Sequence, residues 1–385
     1  MKIYKKSFWN ILRAFSIPLY NFLIMLLGIK IYGKAQWGAL LAILLWVNFL
    51  VFITKWNGQD YLVRQYSQNP SKKYLVFYSN LILRSCLMLT GLLLFFFYSN
   101  TIALLALLLI AFSFIYNSFD SLIVYEQKYT AQLIAESLGC FVLAACFVIF
   151  PGFSVENLML FYIVNTILKT VVLFFFIKIP FPELLIRKST FSVVEIKRTL
   201  PFFLIGFGGW LSSKIDTYLV SHYFPKEALS EYQIFISCIL MLQALSSFIV
   251  APLYKYMYRM PERTIQKSKD KIALIGIPFV LFGTLVIWLV LGQLGIASFS
   301  WEYYLTGTLV ALPSYFYIID GVQLYRKHKE TTLMRLNFLI VFMHFILMLI
   351  LIPIWQLFGV LLSVCVSQWI LLFAIKYQYK KVFLK

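Results

Sequence analysis

Four basic residues interrupt long apolar stretches of this 385-residue sequence: Arg13, Arg84, Lys169 and Lys214. An ionised side chain in hydrocarbon costs about 2.5–3.5 kcal/mol on insertion scales, so each needs a partner, a water-filled space or a route back to the interface. Arg and Lys form charge-assisted hydrogen bonds with carboxylates and phosphates. These four residues are therefore the first candidates for binding an anionic group.

Arg13 belongs to a polar stripe. On a helix, Asn10, Arg13, Ser16, Tyr20 and Asn21 share one face, and the opposite face is apolar. A half-polar helix inside a membrane typically faces a cavity, so we predict that Arg13, Tyr20 and Asn21 line one. The alternatives are that Arg13 snorkels to the nearer interface or that the stripe contacts other helices.

Arg84 and Lys169 lie near the middle of their apolar stretches, too deep for easy snorkelling. A pair inside the helix bundle, for instance between Arg84 and Glu136, is the alternative to a binding role for Arg84. The sequence offers no obvious acidic partner for Lys169, which favours a binding role there.

Lys214 and Asp216 follow a segment rich in Gly and Ser at 206–213. Two residues apart, they point in nearly opposite directions on a helix and do not pair. Asp216 shares its face with small residues, so we predict that it lines an aqueous space; the alternative is a hydrogen bond to a neighbouring helix. His344 is interpreted as a buried, hydrogen-bonded histidine.

The elements that position these residues are membrane-spanning helices. Hydrophobic residues make up 62% of the chain and charged residues 13%, about half the charge of a soluble domain. A span needs about 20 mostly apolar residues, and the stretches are too long and too evenly apolar for barrel strands. We predict twelve spans, at 8–29, 36–54, 74–97, 101–119, 131–150, 157–179, 200–221, 232–252, 272–292, 301–319, 331–352 and 356–375.

The fold class is thus an all-α integral membrane protein with about twelve helices in two six-helix lobes. The polar connection at 181–199 separates an N-terminal lobe, 1–180, from a C-terminal lobe, 200–385. An even number of spans per lobe gives both lobes the same orientation, related by an axis along the membrane normal.

The charges are sorted across this topology. Apart from the four cations within spans and Lys30, Lys34 and Lys226, every Lys and Arg falls on one side. Cytoplasmic loops retain Lys and Arg, so we predict a bacterial inner-membrane protein with both termini in the cytoplasm. The net charge of +19 then reflects topology and attraction to anionic membrane lipids, and no nucleic-acid partner is expected.

The sequence shows no motif that is typical of an enzyme. The sequence contains no nucleophile elbow, no zinc-protease motif and no nucleotide-binding glycine loop, so we predict no enzyme and no cofactor. The five cysteines lie within spans without metal-ligand spacing, which predicts no metal site.

Two stretches carry a family resemblance. Residues 33–67 contain a short outer connection, a small-residue turn and an Arg before the inner loop. Residues 212–259 place Asp216 in span seven, Tyr232 at the start of span eight and Pro252 at its end, with Ser230-Glu231 where Val-Gly is usual. Both resemble polysaccharide flippases of the Wzx type, within the multidrug/oligosaccharidyl-lipid/polysaccharide (MOP) exporter superfamily.

The resemblance implies a central cavity, lined mainly by spans one, two, seven and eight, that alternates its access between the two sides. A lipid-diphosphate-linked oligosaccharide would be the substrate, with cations such as Arg13 and Lys214 holding the diphosphate and Tyr20, Asn21 and Asn48 contacting the sugar. Arg84 and Lys169 lie on other spans and gain less support. Membrane lipids, a coupling ion, and a glycan polymerase or glycosyltransferases are the further partners expected.

Two other functions compete with this one. A MATE-like, ion-coupled antiporter of small organic cations would need an acidic cavity, whereas the charge within these spans is mainly positive. A non-transport scaffold for glycan-assembly enzymes would use the polar stripes as helix contacts alone.

Overall fold

The computed structural model describes residues 2–56, 59–152, 154–178, 193–250, 257, 261–295, 299–327 and 329–383. Every regular element within these residues is a helix. The chain divides into two compact units, which we call unit 1 (Met1–Gly206) and unit 2 (Phe207–Lys385).

Unit 1 begins with seven helices and two 3-10 segments. They are α1 (Lys2–Lys55), α2 (Gln59–Gln68), a 3-10 turn (Pro70–Lys72), α3 (Lys73–Ser85) with a 3-10 continuation (Cys86–Phe96), α4 (Asn100–Ser118), α5 (Asp120–Glu126), α6 (Tyr129–Ile149) and α7 (Val155–Ile177). Helix α8 (Val193–Ser212) begins in unit 1 and ends in unit 2. The rest of unit 2 holds α9 (Ile215–Tyr223), α10 (Lys226–Val250), α11 (Glu262–Gln293), α12 (Trp301–Arg326) and α13 (Glu330–Phe383).

The prediction of about twelve spanning helices is confirmed. Among the described residues, nine helices are long and apolar enough to cross a membrane. Two of these, α1 and α13, bend sharply at Gly33 and Gln356 and therefore supply two spans each. The broken pair α8 and α9 supplies span seven, so every predicted span has a helical counterpart.

The bend in α1 depends on two glycines. Gly33 has a φ of +80°, which only glycine adopts readily, and it turns the chain back on itself. Gly28 lies against the indole of Trp37 across the bend, and a Cβ at Gly28 would come within 2.1 Å of that ring. Trp37 is 1% exposed, so its ring is buried between the two arms of α1, the helical segments before and after Gly33.

Large apolar side chains cover much of the surface. Phe96 is 83% exposed and Phe175 is 76% exposed, on two different spanning helices of unit 1. Such exposure would promote aggregation in water, but it is the expected surface of a helix that faces lipid tails. Together with the apolar helix lengths, it identifies a multi-pass membrane protein.

One end of unit 1 has an apolar core where short helices follow spanning ones. Tyr66 of α2, Phe77 of α3, Phe119 at the α4–α5 break, and Leu122 and Ile123 of α5 are buried there. Because α1 stops at Lys55 and α4 at Ser118, the two spanning helices end close to this core. Their last carbonyl groups lack partners within the helix and need other donors.

Residues 181–192 of the predicted connection between the lobes lie outside the described residues. Helix α8 begins at Val193, within the predicted connection. The lobe limits 1–180 and 200–385 therefore stay a prediction.

Candidate functional site

Lys169 has a carboxylate partner inside unit 1. Its Nζ lies 2.8 Å from Oε2 of Glu136, and the hydroxyl of Tyr116 donates to Oε1 of the same carboxylate over 2.6 Å. The prediction that Lys169 lacks an acidic partner is wrong, and so is the suggested pairing of Arg84 with Glu136. Gly139 makes room for this contact, because a Cβ there would lie 2.8 Å from Cε of Lys169.

Arg84 donates a hydrogen bond to the C-terminal end of helix α1. Its guanidinium donates to the carbonyl oxygen of Lys55 and to Oγ of Ser118, both over 3.0 Å. Lys55 is the last residue of α1, so Arg84 supplies a donor to a carbonyl that has no partner in the helix and a positive charge to the negative end of the helix dipole. This contact accounts for a cation that is only 4% exposed.

Arg13 begins a series of hydrogen-bonded polar side chains, which we call the polar chain, that ends at Lys55. Its Nη1 donates to Oε1 of Gln132 over 2.7 Å, and Nε2 of Gln132 donates to Oδ1 of Asp120 over 3.2 Å. The other oxygen of Asp120 accepts from Nζ of Lys55 over 2.6 Å. The guanidinium of Arg13 also lies 5.2 Å from the ring centre of Tyr129. Arg13 thus contacts neutral side chains, those of Gln132 and Tyr129. The carboxylate of Asp120 forms its ion pair with Lys55 instead.

Sequence reasoning missed Lys55 and Asp120. Lys55 was placed in an inner connection, and Asp120 sits just after a predicted span, where charged residues are common. Their positions in the sequence could have indicated the contact. Both residues directly follow the inner ends of predicted spans and therefore lie at the same level of the membrane.

The polar stripe of the first arm of α1 contacts α6. The hydroxyl of Tyr20 lies 2.8 Å from Oγ of Ser137, and Ser16 is 6% exposed and donates to the carbonyl of Leu12 over 2.7 Å. Contact with α6 therefore accounts for Tyr20 and Arg13, whereas Ser16 forms its hydrogen bond within α1. Asn21 and Asn48 are exposed, and the side chain of Asn10 lies outside the described part of the chain.

A small cavity in unit 1 adjoins this polar chain. Its volume is about 10 Å³, roughly the space that one water molecule needs and far too little for a sugar. The lining residues are Lys55, Gln59, Leu62, Arg84, Asn117, Ser118, Asp120 and Ser121.

Span seven of unit 2 is broken at Lys214. Helix α8 ends at Ser212 and α9 begins at Ile215, and Lys214 between them has φ −133° and ψ −17°. The side chain of Lys214 is partly buried, and among the described residues its ammonium group makes no hydrogen bond or ion pair. A membrane span thus carries an unpaired cation at the start of a half-helix, where unpaired backbone N–H groups also gather.

Asp216 makes the hydrogen bond that was the alternative to its predicted aqueous position. It is 3% exposed, and its Oδ2 accepts from the hydroxyl of Tyr232 on α10 over 2.7 Å. His344 on α13 is also 3% exposed, and its Nε2 has no hydrogen-bond partner among the described residues. The interpretation of His344 as hydrogen-bonded therefore fails at this nitrogen.

Solved structures share this fold over nearly the whole chain. A structure described as lipid II flippase MurJ in an inward closed conformation matches with a TM-score of 0.72 and 14% identity, over 96% of this chain and 87% of its own. An inward-facing multidrug resistance MATE family transporter of the MOP superfamily matches with a TM-score of 0.64 and 14% identity, over 96% and 97%. A MATE in complex with MaD3S gives 0.56 and 16%, over 100% and 96%.

No protein-family model matches the sequence, and no curated protein matches it. At these identities the structural likenesses establish the fold alone, which is the one seen in the matched flippase and MATE transporters.

Proposed function

We propose that this protein flips a lipid-diphosphate-linked oligosaccharide from the cytoplasmic to the outer leaflet, by alternating access, for the synthesis of a cell-surface polysaccharide such as capsule or lipopolysaccharide. The observation that carries the proposal is the unpaired Lys214 at the break in span seven. The fold shared with a lipid II flippase supports the same class of cargo.

The chemistry of the break suits a diphosphate. A phosphate cannot enter hydrocarbon uncompensated, and Lys214 supplies a positive charge that no described carboxylate takes up by an ion pair. The nearby Asp216 accepts a hydrogen bond from Tyr232 and acts on Lys214 through its charge, without forming an ion pair with it. The N-terminus of α9 adds backbone donors and the positive end of a helix dipole.

The other candidates divide into two groups. Arg13 keeps an unused guanidinium donor, its Nε, beside a neutral amide, so the proposal keeps it as a candidate phosphate ligand of unit 1. Tyr20, Asn21 and Asn48 would contact the sugar. Arg84 and Lys169, also candidates from the sequence, receive structural roles, because their contacts already use their charges within unit 1.

The Lys214→Ala protein should flip a dye-labelled polyprenyl-diphosphate oligosaccharide about tenfold to hundredfold more slowly in proteoliposomes. A hydrogen bond to a charged group is worth about 1.5–3 kcal/mol, which corresponds to that loss of affinity. Lys226→Ala is the matched control, since Lys226 is exposed and donates only to the carbonyl of Ser221 over 3.4 Å. Full flipping by Lys214→Ala at normal abundance would remove the basis of the proposal.

The buried acid Asp216 favours a second candidate, an ion-coupled antiporter of organic cations. MATE transporters share the fold, and the buried carboxylate of Asp216, hydrogen-bonded to Tyr232, is a group to which a coupling cation could bind. If Asp216→Asn abolishes efflux of a cationic dye while Lys214→Ala leaves lipid flipping intact, the antiporter replaces the flippase. A protein without either activity would favour a scaffold for a glycan polymerase or glycosyltransferases.

The proposed direction of transport requires a bacterial inner-membrane protein with both termini in the cytoplasm. A single cysteine in place of Thr190, in a background without the five native cysteines, should react with an impermeant thiol reagent only in inverted vesicles. A cysteine in place of Lys226 should react in intact cells, because the basic residues are otherwise concentrated on the opposite side. The reverse labelling pattern would contradict the topology.

A further inference from the structure

The cations at one end of unit 2 are not neutralised as those of unit 1 are. In unit 1, Glu126 lies 2.7 Å from Nζ of Lys73 and 2.8 Å from Nζ of Lys128. In unit 2, the ends of α12 and α13 carry five exposed lysines that form no ion pair with a carboxylate among the described residues. We call them the basic cradle: Lys327, Lys329, Lys376, Lys380 and Lys381.

The cradle is held in place by packing. Leu324 of α12 and Leu333 and Ile375 of α13 form a buried cluster just beneath it. Nζ of Lys327 lies 5.4 Å from the ring centre of Phe383, and the rings of Phe383 and Tyr379 stack at 4.6 Å. These contacts bring the end of α12 and the end of α13 together.

A carboxylate of α12, Asp320, is already occupied. Asp320 is 4% exposed and forms an ion pair with Lys269 of α11, whose Nζ also lies 3.5 Å from the ring centre of Tyr379. Lys376 interacts with Asp320 through its charge without forming an ion pair, and its Nζ lies 5.6 Å from the ring centre of Phe316. The cradle therefore keeps a concentrated positive charge that faces outward.

An apolar strip continues from the cradle along the same helix face. Phe373, Tyr377 and Lys381 recur every four residues on α13 and so share one face. Phe373 is 63% exposed and Tyr377 is 65% exposed. An acyl chain could lie along the two rings while a phosphate meets the lysines above them.

We propose that the basic cradle binds the headgroup of an anionic phospholipid, with an acyl chain along Phe373 and Tyr377. Retention of a loop in the cytoplasm needs only positive charge. The cradle adds positioned lysines and an adjoining apolar strip, which together match a lipid with a phosphate headgroup. This site is independent of Lys214 and of the cargo.

Native mass spectrometry of the full chain in mild detergent tests the proposal with cardiolipin, phosphatidylglycerol and phosphatidylcholine as probes. Cardiolipin and phosphatidylglycerol should bind at least tenfold more tightly than phosphatidylcholine, and binding should weaken as salt screens the lysines. Lys380→Gln with Lys381→Gln should lower cardiolipin affinity about thirtyfold, because each lysine near an anionic surface adds roughly a fivefold gain.

Lys72→Gln with Lys178→Gln is the matched control, since it removes the same charge from two exposed lysines of unit 1 on the same predicted side. It should change cardiolipin affinity no more than about twofold. An equal loss in the control, or equal binding of phosphatidylcholine, would overturn the proposal. Displacement of cardiolipin by micromolar pyrophosphate would mark a site for free phosphate and would overturn the assignment to a lipid.

Discussion

Replacing Lys169 with methionine should destabilise unit 1 by about 3 kcal/mol, the lower end of the range for a buried ion pair, because the change removes one partner of a largely buried pair. Glu136 is only 9% exposed, and without Lys169 its carboxylate keeps a single hydrogen bond, from Tyr116. Methionine preserves most of the length of the lysine side chain, so the loss of charge dominates the effect. Equilibrium unfolding in mixed micelles, followed by tryptophan fluorescence, measures the change.

The double variant Lys169→Met with Glu136→Leu is the control for this result. Removing both charges of a buried pair is often neutral or stabilising, so the double variant should recover most of the lost stability. A Lys169→Met protein as stable as the natural one, with lipid flipping lost, would instead give Lys169 the substrate-binding role that the sequence favours.

The spans were predictable because a helix in lipid must be apolar over its whole length. The bends were only partly predictable. Gly33 stands out as a glycine in a short polar connection, whereas Gln356 adopts φ +50° with no residue type to announce it. Pro353 does not mark the bend, because α13 continues in helical form through it and bends three residues later.

The candidate cations were predictable by residue type, but their partners were not. Hydropathy shows that Arg84, Lys169 and Glu136 lie within spans, yet it cannot tell which helices are neighbours. The packing of α6 against α7 brings Glu136 next to Lys169, and the end of α1 at Lys55 provides the carbonyl partner of Arg84. Lys214 lies at a helix break that the glycines before it suggest but do not locate.

Replacing Gly359 with alanine should destabilise unit 2 by about 3 kcal/mol, the upper part of the usual range for overpacking. Gly359 follows the bend of α13 and lies against the backbone of the preceding arm. A Cβ there would come within 2.3 Å of the carbonyl oxygen of Leu351 and 2.7 Å of its carbonyl carbon. A backbone group cannot rotate away as a side chain can, so the two arms of α13 would have to separate. The loss should appear in unfolding in mixed micelles.

Gly321→Ala is the matched control, because Gly321 lies within α12 and no atom would come within 4 Å of its added Cβ. Alanine is the better helix former by about 0.5–1 kcal/mol, so this variant should be slightly more stable than the natural protein. If Gly359→Ala lowers the free energy of unfolding and Gly321→Ala raises it, glycine is required at position 359 because the two arms of α13 lie close together there. If Gly359→Ala instead gains stability as Gly321→Ala does, the arms of α13 do not meet at Leu351.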